Sequence, residues 1–217
     1  VMDETALMGK PDAATTAAHA TWAREHGADP AFLDALKDGY TAVVADWDSG
    51  RPGPTTVLRV DMDALPIHES DAPDHYPQQH GFRSQNPGSM HACGHDGHSA
   101  IGLAVATLIA ENRAALRGKI RLIFQPAEEG VRGGKSLVAT GVVDDADYFI
   151  ALHLGLGVPQ RHFVAGAAGF LASSKLDVAF HGVAAHAGGA PQSGKNALLA
   201  AASATLNLHA IPRHAAG

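Results

Sequence analysis

Two runs stand out in the hydrophobic pattern. Thr55 to Val60 (TTVLRV) is β-branched and apolar. Ile120 to Phe124 (IRLIF) is its counterpart 65 positions on. Short unbroken apolar runs of this kind predict buried strands. A third strand is predicted over Tyr148 to Leu152 (YFIAL). Tyr40 to Asp46 alternates enough to predict a further strand, followed by a turn over Asp48 to Pro54 carrying Ser49-Gly50 and Pro52-Gly53-Pro54. The alanine-rich stretch 11–40 reads as helical, with Asp29-Pro30 as a helix start. Asp96 to Leu116 places Ile101, Leu103, Val105, Leu108 and Ile109 at helical spacing, and Gly118-Lys119 ends the segment. Lys135 to Thr140 predicts a short helix closed by Gly141. Residues 68–89 are polar, contain Pro and Gly, and read as a long loop, a length that is usually functional or mobile.

Strand, helix, strand, helix, strand is the order of an α/β protein with a mostly parallel sheet and flanking helices. Such sheets bind ligands outside the carboxyl ends of their strands. The polar clusters of this chain fall there. After Gly169 the character changes: Ser174 to Phe180 alternates as a half-exposed antiparallel strand would, and Ala197 to Ile211 predicts an apolar helix after Ser193-Gly194. The expected division is a catalytic domain over 1–170 and the start of a second, smaller α+β domain over 171–217.

Composition narrows the class. A net charge of -6 with no basic stripe argues against nucleic acid as a partner. One cysteine forms no internal disulfide. No apolar run is long enough to span a membrane, and Val1-Met2-Asp3-Glu4 is not a signal peptide, so a cytoplasmic location is expected. The start without an initiator Met and the stop just after a helical pattern lead us to expect a fragment of a longer protein.

The one cysteine lies in Met90-His91-Ala92-Cys93-Gly94-His95-Asp96-Gly97-His98. A thiolate, imidazoles and a carboxylate in nine residues are ligand types for a borderline-soft divalent metal. An isolated Cys is usually a small buried hydrophobe. Cys93, however, follows a polar loop and adjoins Gly94 and His95. A cysteine nucleophile is the rival functional reading, but it leaves Glu128-Glu129 without a role. One of those glutamates can bind a metal ion while its neighbour takes a proton from water acidified by that ion and delivers it to a leaving amine. His153 ends the third predicted strand, level with these groups. Asp61 and Asp63 end the first, as ligands or as groups that orient histidine ligands. His91 and His98 are as easily orienting or capping residues as ligands, and Asp96 suits a helix start.

Five segments, RVDMDALP (59–66), MHACGHDGH (90–98), IFQPAEEG (123–130), ALHLG (151–155) and AAHAGGAP (184–191), together resemble the M20 family of metallopeptidases and amidohydrolases. The cysteine-bearing version is similar to its aminoacylase and hippurate hydrolase branch. The resemblance implies a zinc-peptidase-like catalytic domain with an inserted lid or dimerisation domain. It implies two divalent ions, Mn or Zn, with Cys93, His95, Glu129 and His153 as ligands, Glu128 as general base and acid, and Asp63 orienting a ligand. It also implies that His186 stabilises the oxyanion in a partner's active site. The expected reaction is hydrolysis of the amide of an N-acyl or N-aroyl amino acid, with p-aminobenzoyl-glutamate as the substrate. The expected assembly is a homodimer or a heteromer with a homologous subunit. The family's last ligand histidine lies in a C-terminal part of the catalytic domain without a counterpart in these 217 residues. The alternative is therefore a truncated, non-catalytic homologue with a binding or regulatory role.

Overall fold

A computed structural model describes residues 10–36, 38–155, 157–166, 169 and 176–211. The chain divides into two compact units, Val1–Phe163 and Val164–Gly217.

Among the described residues, two helices stand in the first unit where the sequence pattern suggested one helical stretch. Helix α1, Ala13–Glu25, is capped by Asp12, whose carboxylate accepts the Thr15 N–H at 2.7 Å. Helix α2 is Pro30–Leu36. The break falls at Gly27, which adopts φ 87°. Strand β1, Val43–Asp48, lies slightly later than expected, and β2 is Thr55–Asp61. The long loop contains one short helix, α3, Tyr76–Gln79. Then come α4, His95–Asn112, β3, Lys119–Gln125, α5, Gly133–Ala139, and β4, Tyr148–Ala151.

The four strands among the described residues form one mixed sheet in the order β1-β3-β2-β4. β2 runs parallel to β3 and to β4, while β1 joins antiparallel to β3. The two central strands carry the core, with Val57, Val60, Leu122 and Ile123 buried. Edge strand β4 is exposed throughout. The β2–β3 register sets Asp61 opposite Gln125, so the ends of the two central strands are level.

Helix α4 approaches this sheet closely because of one residue. A Cβ on Gly102 would come within 2.8 Å of Phe124 Cε1 and 3.0 Å of a Val60 methyl. The missing side chain lets the N-terminal turn of α4 meet the ends of β2 and β3.

The second unit holds α6, Ala197–His209, capped by Asn196, whose side chain accepts the Leu199 N–H. An isolated antiparallel bridge joins Val183 and Lys195. The strand expected over 174–180 is not formed at 176–180, and residues 174 and 175 lie outside the described residues. Alternation alone makes no strand: the ladder needs a partner, and no strand among the described residues pairs with this segment.

Candidate metal centre

Asp61 and Asp63 leave the end of β2, Glu128 and Glu129 follow the end of β3, and His153 follows β4. Cys93, His95 and His98 come from the start of α4. Gly94 is the N-cap of that helix at φ 86°, a conformation that side chains resist. It turns the chain between Cys93 and His95, so that both face one space. His95 and His98, three apart on the helix, share its buried face, with ring centroids 5.3 Å apart.

His95 is the hub. It is 1% exposed, and its Nδ1 donates to the Asp63 carbonyl at 2.9 Å, which leaves the lone pair on Nε2. Nε2 has no hydrogen-bond partner among the described residues. Around it stand Asp61 Oδ1 at 3.7 Å, Glu128 Oε2 at 3.8 Å and Glu129 Oε1 at 3.8 Å. A lone pair facing three carboxylate oxygens at these distances is an arrangement that a cation stabilises. Two N or O ligands on one tetrahedral ion lie roughly 3.4 Å apart, close to these separations. The residues present therefore fit a metal ion.

Of the three donor groups that meet at His95 among the described residues, one is Cys93, His95 and His153 and another is His95, Glu128 and Glu129, each with ligand atoms within 4.8 Å of one another. His153 repeats the arrangement of His95: its Nδ1 donates to the Leu154 carbonyl at 2.6 Å, and its Nε2 faces Cys93 Sγ at 3.5 Å. Asp63 serves both groups. Its carbonyl holds His95, while its Oδ2 accepts the Glu129 N–H at 3.0 Å.

The glutamate loop is held by its backbone. Ala127 and Val131, either side of the pair, adopt φ 57° and 56°, left-handed values that cost a non-glycine residue about 1–3 kcal/mol each. The turn is fixed by Val131 N–H to the Glu128 carbonyl at 2.7 Å and Gly133 N–H to the Ala127 carbonyl at 3.0 Å. Nothing in the spelling PAEEGV signals this strain.

Electrostatics bear on the rival reading of Cys93. Burial, then the charge of Glu129 and a hydrogen bond to it, then Glu128 and Asp61, push the thiol above its ordinary value. Nucleophilic cysteines need the opposite shift. For Asp61, burial works to raise the pKa, but the His98 hydrogen bond and the Arg59 charge outweigh it and hold the carboxyl below the usual range.

His91 is exposed and belongs to none of the metal-ligand groups found among the described residues. Asp96 lies in the first turn of α4, as a helix start would have it. His186 belongs to the second unit and is exposed there. Its Nδ1 accepts the N–H groups of Gly188 at 3.2 Å and Gly189 at 2.9 Å, so its proton is on Nε2, the opposite tautomer to His95 and His153.

Sequence reasoning did not find Arg59 and Gln125. Arg59 Nη1 donates to Asp61 Oδ2 at 2.7 Å and its Nε to Gln125 Oε1 at 2.8 Å. Strand period would have found Arg59, since residues two apart share a face. Gln125 depends on the β2–β3 register.

A mixed α/β sheet whose strand ends gather two sets of metal-ligand side chains around one histidine is the architecture of a metal-dependent hydrolase domain. Residues 57–212 match the profile of Peptidase family M20/M25/M40, and the chain belongs to that family. It is 54% identical over 216 residues to an indole-3-acetyl-aspartic acid hydrolase of Enterobacter agglomerans, covering 100% of this chain and 50% of that protein. It is 51% identical over 217 residues to a p-aminobenzoyl-glutamate hydrolase subunit of Escherichia coli (strain K12), again covering 100% of this chain and 50% of the other. Among solved structures, an aminobenzoyl-glutamate utilization protein from Klebsiella pneumoniae superposes with a TM-score of 0.72 at 50% identity, over 97% of this chain and 46% of that one. The chain thus spans about half the length of the curated relatives it matches.

Proposed function

We propose that the protein hydrolyses the amide bond of N-acyl or N-aroyl amino acids, with p-aminobenzoyl-glutamate as the preferred substrate. The observation that carries this reading is the buried, unpartnered Nε2 of His95 among three carboxylate oxygens. The relatives' names supply the substrate class: both describe an aromatic acyl group on a dicarboxylic amino acid.

Cys93, His95, Glu129 and His153 would hold two divalent ions, Mn or Zn. Bound there, such ions supply Lewis acidity, acidifying water and polarising the amide carbonyl. The chain's own residues do the rest. Glu128, with its side chain 39% exposed, reaches the open side of the site and moves the proton from water to the leaving amine. Asp63 keeps His95 and Glu129 in place. His186 presents its Nε2–H to solvent, as a donor to the oxyanion of a partner's reaction would. In this reading residues 171–217 begin the lid or dimerisation domain, and the protein forms a homodimer or pairs with a homologous subunit. The Escherichia coli relative, by its name one subunit of a hydrolase, supports such an assembly. We place the protein in the cytoplasm; no helix among the described residues is long and apolar enough to cross a membrane.

The test is p-aminobenzoyl-glutamate hydrolysis by the complete protein, with chelation followed by Mn or Zn addition. Activity that vanishes and returns is expected. Metal-restored activity on other N-acyl amino acids alone would keep the chemistry and discard the substrate. Inactivity on the whole panel would favour a non-catalytic binding or regulatory role.

A further inference from the structure

His98 is 0% exposed, and with Asp61 and His95 it makes a third set of ligand-type atoms within 4.8 Å. Both its ring nitrogens are already used. Nδ1 lies 2.5 Å from Asp61 Oδ1, and Nε2 lies 2.8 Å from the backbone nitrogen of Leu154. An amide N–H only donates, so Nε2 is the acceptor and Nδ1 carries the proton. No lone pair is left for a cation. Asp61 accepts one bond on each oxygen, from Arg59 on Oδ2 and from His98 on Oδ1.

The bonds form one continuous chain. It starts at Gln125 on β3, passes through Arg59 and Asp61 on β2 and His98 on α4, and ends on the N–H of Leu154. Leu154 is the residue whose carbonyl accepts the Nδ1–H of His153. The His98 and His153 rings meet edge to face, with centroids 4.6 Å apart. Strand β4 ends at Ala151, so no sheet ladder among the described residues holds residues 153 and 154, and His98 is the side chain that accepts the Leu154 N–H.

We propose that His98 is a positioning residue: through Leu154 it sets the tautomer and direction of the His153 ring, and it does not itself bind metal. This rests on the reading of His153 as a ligand. The Arg59–Asp61 pair is then the anchor that fixes His98, which explains a buried ion pair directly beneath the site.

The experiment compares wild type with His98→Gln and His98→Asn. Glutamine's side-chain amide can donate to Asp61 and accept from Leu154. Asparagine keeps the donor to Asp61 and loses reach to Leu154, so both variants satisfy the buried carboxylate, and amide spectra check that the sheet is retained. Ring-nitrogen NMR of the metal-free chain reads the His153 tautomer directly. Wild type and His98→Gln are expected to show the proton on Nδ1, and His98→Asn a mixture. Cobalt titration should then show a loss of about 10–100-fold in affinity for His98→Asn with partial rescue in His98→Gln. An unchanged His153 tautomer in His98→Asn overturns the proposal, whatever the metal data show. A changed tautomer in a chain whose wild type takes up no cobalt would uphold the positioning role and overturn the metal reading instead.

Discussion

Replacing Asp61 by Asn removes one buried charge and almost no volume. The carboxylate is 1% exposed as a side chain and receives the Arg59 guanidinium at 2.7 Å and His98 Nδ1–H at 2.5 Å. The amide that replaces it has one acceptor oxygen, so one of the two donors must face an NH2 group. Breaking a buried ion pair costs about 3–5 kcal/mol, because the remaining charge is left uncompensated. Arg59 keeps Gln125 and is 16% exposed, which places the cost at the lower end, about 3 kcal/mol. With a urea slope of about 2 kcal/mol per molar, the unfolding midpoint falls by about 1.5 M at unchanged slope. Adding Arg59→Met should recover part of the loss, since the uncompensated guanidinium is then gone. A midpoint shift under about 0.5 M, or a double variant as unstable as the sum of the singles, would refute the assignment of Asp61 and Arg59 as a coupled pair.

Glu128→Gln in the complete protein is expected to lower hydrolysis about 10²–10⁴-fold with ion content unchanged by elemental analysis, and near-normal turnover would remove Glu128 from proton transfer. The Thr16 hydroxyl is buried with no hydrogen-bond partner among the described residues. Thr16→Val should therefore stabilise the chain by about 1 kcal/mol in urea unfolding, and a clear destabilisation would contradict an unpaired hydroxyl. Glu69, buried in the 68–89 loop, accepts from His75 at 2.9 Å and from the Ser84 N–H at 2.5 Å, and these bonds hold its carboxyl below the usual range. A depressed folded-state pKa contributes stability that is complete above the unfolded value of about 4.3 and is lost as pH falls through the folded value. Hydrogen-exchange protection of Ser84, corrected for intrinsic rates, should fall in acid and be weak at every pH in Glu69→Ala, which removes the acceptor. Protection that ignores both changes would show that Glu69 does not organise the loop.

Local pattern specified the four strands of the sheet, the helix behind Cys93 and the α/β class, because these rest on periodicity and on turn residues such as Gly118. It also placed Cys93, His95, Glu128, Glu129 and His153 at strand ends or a helix start, where an α/β sheet presents ligands. Tertiary structure decided what local pattern cannot encode. The β2–β3 register set Gln125 opposite Asp61, and with it the anchor of Arg59. In the fold His98 uses both its nitrogens, on Asp61 and on the Leu154 N–H, which separates it from His95, equivalent in pattern three positions earlier on the same helix face. Backbone strain at Ala127 and Val131 turned an ordinary glutamate pair toward His95. Whether the alternating residues 176–180 form a strand likewise depended on a partner to pair with, which periodicity does not supply. Ligand type is a property of the residue, but a free lone pair is a property of its neighbours, and these come together only in the fold.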